Sequence, residues 1–192
     1  MTKSIFEKIY NHLALRKEDL DSIANAHEQI DFQKGHVFLE NGKVANEYYL
    51  IQSGLVRSWL YDYNGDEITT EFYGDGEILI EVSSLFQRIP TKENIVALTA
   101  GTALRIDFDK FQELYHKIPA FNEWGRAWMS NQLFMSKQRT IDMLTRSAAD
   151  RYLAILKHKP LIIKEAPLKH IASYLGITNS SLSRIRKEIF SA

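Results

Sequence analysis

The sequence predicts an α+β protein: an N-terminal antiparallel β-roll (double-stranded β-helix) with flanking helices, a long helix, and a C-terminal helical domain carrying a helix-turn-helix. Three observations predict it. Residues 30 to about 107 hold short β-branched and aromatic runs separated by turn signals, the texture of an antiparallel roll. From Pro119 to about Leu144 the chain contains no further proline and its apolar residues recur at helical spacing. The segment LKHIASYLGITNSSLSRI, Leu168 to Ile185, places a small residue and a glycine where two short crossing helices need them. The expected division is 1–118 for the roll, 119–145 for the connecting and dimerisation helix, and 146–192 for the helix-turn-helix domain.

The elements follow in chain order. Ile5, Ile9 and Leu13, then Leu20, Ile23 and Ala24, fall at helical spacing, which predicts two short helices within residues 4 to about 29, broken near Arg16 to Glu18. The β region is punctuated by Asn41-Gly42, Ser53-Gly54, Asn64-Gly65, Gly74-Asp75-Gly76 and Gly101, with Asn64-Gly65 the strongest hairpin signal. After Asp107 the pattern turns helical. The long helix carries two apolar stripes, one of Phe121, Trp124, Trp128 and Met135 and one of Met129, Leu133, Ile141 and Leu144. One stripe is expected to pack on the roll and the other on a second subunit. The aromatic stripe is the expected dimer seam, and a helix wedged between the chain's own two domains is the alternative. Ser147 to Asp150 reads as a capping box opening a helix over Ala148 to Lys157, which Pro160 ends.

In the terminal motif Ala172 and Gly176 occupy the crossing and the turn, while Ile171, Leu175, Ile177, Leu182 and Ile185 share one core. Ser180, Ser183, Arg184 and Lys187 then face outward. With Thr178, Asn179, Arg186 and Lys169 they form the expected DNA-contacting set. Charge supports this. The formal net charge is zero, yet residues 145–192 hold nine Lys and Arg against three acids, a net of +6, leaving 15 basic and 21 acidic residues, or −6, in residues 1–144. Such asymmetry suggests that only the C-terminal part approaches a polyanion.

Composition excludes several classes. The chain has no cysteine, which removes disulfides, thiolate zinc sites, iron-sulfur clusters and thiol redox sensing. No run approaches the ~18 apolar residues of a membrane span, and the amphipathic N-terminal segment is unlike a signal peptide, so a cytoplasmic protein without a membrane partner is expected. An enzyme is not expected. A cupin-like metal site needs several converging histidines, but only His36 lies in the β region, and His12, His27, His116, His158 and His170 are dispersed through helical stretches. No Walker loop, nucleophile elbow or paired-carboxylate signature appears, and no metal ligands are expected. The remaining alternative is a ligand-sensing or protein-interaction module whose helix-turn-helix no longer binds DNA.

The turn order in NGKVANEYYLIQSGLVRSWLYDYNGDE, the capped helix SAADRYLAILKHKP and the terminal IASYLGITNSSLSRIRK together resemble the Crp-Fnr superfamily over nearly the whole chain, the last segment especially its Bacteroidetes branch. The resemblance implies a homodimeric bacterial transcription regulator with a cyclic-nucleotide-binding-type domain, a two-fold double-stranded DNA operator and RNA polymerase as a further partner. In the cyclic-AMP-responsive members a Glu and an Arg-Ser pair hold the ribose and cyclic phosphate. Here Glu81 matches the Glu, Thr91 and Lys92 stand near the Arg-Ser place, and Arg88 is close in sequence. These four are the expected effector-binding residues, and their departure from Arg-Ser argues against cyclic AMP in the usual mode. Arg184 keeps the position of a guanine-reading arginine, whereas Asn179 and Ser180 replace an Arg-Glu pair, so a different operator is expected. The sequence ends two residues after Phe190. Phosphate contacts are therefore expected from Arg186, Lys169 or the Lys157 to Lys164 connection rather than from a following β-wing.

Overall fold

The computed structural model describes residues 5–190; residues 1–4 and 191–192, at the ends of the two expected outer domains, lie outside the described residues. Helices α1 (Ile5–Ile9) and α2 (Lys17–Asn25) lead into a two-sheet roll. One sheet has the order β1 (Glu28–Phe32), β8 (Gly101–Asp107), β3 (Glu47–Ser53), β6 (Ile78–Leu79); the other has the order β2 (Val37–Leu39), β7 (Asn94–Ala97), β4 (Val56–Tyr61), β5 (Glu67–Tyr73). All pairings are antiparallel. Phe32, Phe38, Tyr49, Ile51, Val56, Leu79, Ile95, Ala97 and Ala103 fill the space between the sheets, the inward half of the alternation that the sequence displays.

Gly101 marks the tightest point of the roll. A Cβ at this residue would lie 2.1 Å from the Ser53 carbonyl oxygen and 2.6 Å from the Phe32 ring. The β3–β8 register shifts beside it, between Ile51 and Ser53. Only glycine lets the two backbones approach this closely.

Two short helices were not expected from the pattern. Helix α3 (Val82–Gln87) interrupts the β region, capped by Glu81, whose side chain accepts the Ser84 N–H. Helix α7 (Pro160–Glu165) begins at the proline expected only to end its predecessor. Proline at the first helical position loses no hydrogen bond, so one residue stops α6 (Ala148–His158) and starts α7. Ser147 caps α6 as expected, accepting the Asp150 N–H at 3.1 Å.

Helix α4 (Phe108–Lys117) precedes the long α5 (Pro119–Thr145). The N-terminal third of α5 packs on the outer face of the roll with α1, α2 and α4. Phe121 is 0 % and Trp124 7 % exposed, their rings stacked 5.3 Å apart, and the Trp124 indole donates to the Ile9 carbonyl at 3.0 Å. This corrects the expected seam. Phe121 and Trp124 belong to the chain's own core and Trp128 packs half-buried against it, while only Met135 of that stripe stands exposed, at 54 %. The other stripe, with Leu133 73 % and Leu144 82 % exposed, is the free one. Large aromatics gain most by entering a core, and the roll, with its N-terminal helices, offers one.

Candidate nucleic-acid interface and ligand cavity

Helices α8 (Leu168–Tyr174) and α9 (Asn179–Phe190) form the helix-turn-helix. Gly176 has φ +66°, the left-handed conformation that the turn requires, and a Cβ there would meet the Met143 methyl at 2.8 Å. Ile171, Ala172, Leu175 and Leu182 are buried in one cluster with Tyr152, Ile155, Ile162 and Ala166 of α6, α7 and the following turn. Leu55 and Phe72 of the roll enter the same cluster, so the helix-turn-helix packs directly on the roll.

The outward face carries most of the expected contacts. Asn179, Ser180, Ser183, Arg184 and Lys187 are exposed, as is Lys169 on α8. No ion pair among the described residues engages Arg184 or Lys187. Two members differ. Thr178 is exposed, but its hydroxyl caps α9, accepting the Ser181 N–H at 3.2 Å. Arg186 is half-buried, with its Nε enclosed, and so presents less of its guanidinium than the spacing implied. Apart from Lys169 on α8, the set lies along α9 and its entry turn and forms a polar and basic helical surface.

The roll contains a cavity of about 100 Å³ lined by Phe38, Leu39, Val44, Ala45, Asn46, Glu47, Tyr49, Leu79, Glu81 and Ile95. Of the four expected effector residues only Glu81 lines it. Arg88 does not line it but is held by two residues that do: its guanidinium donates to the Ala45 carbonyl at 2.7 Å and to Asn46, and lies 4.6 Å from the Phe108 ring centre. Thr91 is buried with its hydroxyl accepting the Glu93 N–H at 3.0 Å, and Lys92 is exposed. The lining therefore holds two carboxylates and no cation: Glu47 is paired with Arg105 at 3.3 Å, whereas Glu81 has no ion pair among the described residues. Burial raises the pKa of the Glu81 carboxyl, the Ser84 N–H opposes this, and the charge of nearby Glu93 raises it further. The residues present do not fit a cyclic nucleotide: the cavity falls below the ~300 Å³ of typical ligand sites, and an anion beside an unneutralised carboxylate is disfavoured.

A third cluster, at β5, has no signature in the linear pattern. Glu71 accepts from the Tyr174 hydroxyl at 3.0 Å and pairs with Lys159 at 3.4 Å and Arg139 at 3.7 Å; Glu77 pairs with Lys159 at 2.9 Å. Burial alone would lower the Lys159 pKa, but the charges of Glu71 and Glu77 outweigh it and hold the ammonium well above its ordinary value. These residues lie up to 103 positions apart in sequence, and no local pattern links them.

Among the described residues no group of three or more His, Asp or Glu could hold a metal, and no helix is long and apolar enough to cross a membrane. A family model described as the cyclic nucleotide-binding domain matches residues 29–117. The anaerobic regulatory protein of Haemophilus influenzae is 26 % identical over 184 residues, which cover 89 % of this chain and 70 % of that protein. Among solved structures, a putative transcriptional regulator of the Crp/Fnr family from Eubacterium rectale superposes with a TM-score of 0.72 at 16 % identity, covering 97 % of this chain and 88 % of that one. FixK2 from Bradyrhizobium japonicum gives 0.70 at 15 % identity, covering 86 % and 85 %. At these identities the two structures bear on the fold alone.

Proposed function

We propose that the chain is a transcription regulator of the Crp-Fnr type rather than an enzyme, a reading supported by the family model and the similar regulatory proteins, and that it reads a two-fold symmetric DNA operator as a cytoplasmic homodimer through α9. The division of labour is a roll over 1–118 as sensor, the helix 119–145 as connector and dimer seam, and 146–192 as reader. The observation that carries this reading is the exposed face of Ser180, Ser183, Arg184 and Lys187, with no ion pair at Arg184 or Lys187 among the described residues, in the segment of net positive charge. Arg184 reads a base and Lys187 and Lys169 meet phosphate, since a guanidinium matches guanine bidentately and an ammonium does not.

The second copy packs along Met129, Leu133, Ile141 and Leu144. An exposed apolar stripe on a 27-residue helix is costly in water. A two-fold axis lets the same stripe cover itself, and such a dimer matches two half-sites about 34 Å apart. RNA polymerase is a further partner of the assembled regulator. The effector, where one acts, is not cyclic AMP held in the usual mode, because no cation lines the cavity around Glu81.

Selection of genomic fragments by the purified protein, with and without candidate nucleotides, tests the reading. Enrichment of a short inverted repeat is the expected result. Retention of no fragment above an unrelated protein control would favour a ligand-sensing or protein-interaction module instead.

A further inference from the structure

Strand β5 is the outer strand of its sheet, and its free edge is met by side chains from the helical part. Ser173 of α8 accepts the Thr69 N–H at 2.7 Å and donates to the Glu67 carbonyl at 3.1 Å. Arg139 of α5 donates to the Thr70 carbonyl, and Lys159 to the Phe72 carbonyl at 3.3 Å. Side chains thus occupy hydrogen-bonding positions that a further strand would take, one of the ways an open edge is covered. The carboxylates of the same stretch complete the contact: Glu71 binds Tyr174, Lys159 and Arg139, Glu77 binds Lys159, and the Arg139 guanidinium lies 4.0 Å over the Tyr174 ring.

Charge gives this contact a direction. Lys159 is one of the nine cations that make residues 145–192 positive, and it is engaged by two carboxylates of the negative part of the chain. Glu67 is ion-paired with Arg57 at 2.7 Å; that hydrogen bond is the first cause of its lowered pKa, and the Lys169 charge is a smaller one. The β5 carboxylates therefore engage cations that a DNA backbone would also attract. Leu55 and Phe72 add a buried apolar contact behind the edge, but the bonds along the edge itself are partly exposed ion pairs and single hydrogen bonds, each of which costs little to break.

We propose that Glu71 and Glu77 are an autoinhibitory latch, holding the helix-turn-helix on the chain's own roll and competing with DNA phosphate for Lys159 and Arg139. This rests on the reading that α9 binds DNA. Opening the latch bares the β5 edge and frees the reader to align with the duplex.

The test uses the full chain with three changes: Glu71→Gln with Glu77→Gln, Ser173→Ala, which leaves the charge unaltered, and Asp31→Asn with Glu40→Gln, a charge-matched control at exposed positions away from β5. Hydrogen exchange of residues 67–73 is compared with that of 47–53 and 101–107, and affinity for a random-sequence duplex is measured at two salt concentrations. The expected result is faster exchange at 67–73 alone, with duplex binding about fivefold tighter or more in both latch variants relative to the control. In the Glu variant the salt dependence steepens by about one released counterion. Unchanged exchange at 67–73 would overturn the latch. Faster exchange with equal or weaker duplex binding would overturn its inhibitory role. Faster exchange in a protein that binds no duplex in any form would instead overturn the DNA-binding reading, and the inhibitory role with it.

Discussion

The indole N–H of Trp124 donates to the backbone carbonyl of Ile9 at 3.0 Å, tying the long helix to the first helix of the same chain. The bond fixes which face of α5 is spent. With Trp124 turned inward beside Tyr10, at 4.5 Å between ring centres, the face bearing Leu133 and Leu144 points away from the roll.

Assembly is predicted to follow that face. Leu133→Glu yields a folded monomer by light scattering, with a far-ultraviolet spectrum like that of the parent. Trp124→Ala lowers stability by about 3–5 kcal/mol in urea unfolding, the usual result of emptying a buried aromatic site. A Leu133→Glu protein that remains dimeric would place the seam elsewhere.

Base reading is predicted to depend on Arg184. Arg184→Ala costs about 1–3 kcal/mol at one base pair of each half-site and relaxes selectivity there. Lys187→Ala weakens all sequences alike and lowers the salt slope by about one. Competition binding with single-base operator variants separates the two, and a uniform loss in Arg184→Ala would make it a phosphate contact.

Cyclic AMP is predicted to leave thermal stability unchanged. A ligand specific to the native state adds about 2.7 kcal/mol at a hundredfold excess over its dissociation constant, so a melting shift detects even modest binding. None is expected, because Arg88 is held by Ala45 and Asn46, Thr91 is bonded to Glu93, and Glu81 is the charged group among these four that faces the cavity. A saturable shift abolished by Lys92→Ala would show that an exposed lysine turns inward.

Stability is predicted to fall on acidification. Burial lowers the His27 pKa to about 4 against the opposing hydrogen bond to the Ile23 carbonyl, and burial with the charges of Arg57 and Lys169 lowers that of His170 to about 4, Glu67 opposing. Between the ordinary histidine value of about 6.5 and about 4 the unfolded chain binds the proton first, so stability drops as pH falls through that window. Urea midpoints at pH 7, 6 and 5 should decline, and more shallowly in His27→Gln. An equal slope in the variant would remove His27 from the account.

The residues dictated those features whose physics is local. Alternating β-branched runs with glycine turns specify a roll, Ser147 specifies a helix start, and Ala172 with Gly176 specifies two crossing helices, because each depends on backbone preference within a few positions. The order of strands, the inward turn of Trp124 and the capture of Lys159 by Glu71 and Glu77 were decided only in the folded chain. Both stripes of α5 are equally apolar on paper, and which one is buried depends on the surface that tertiary packing brings against it. The cavity followed the same rule: Arg88, Thr91 and Lys92 are neighbours in sequence, yet the end of α3 and the loop from it to β7 sent them to three different environments. Local sequence fixes conformation, whereas partners hundreds of atoms away along the chain fix orientation, and a charge or an aromatic ring acquires its role only from orientation.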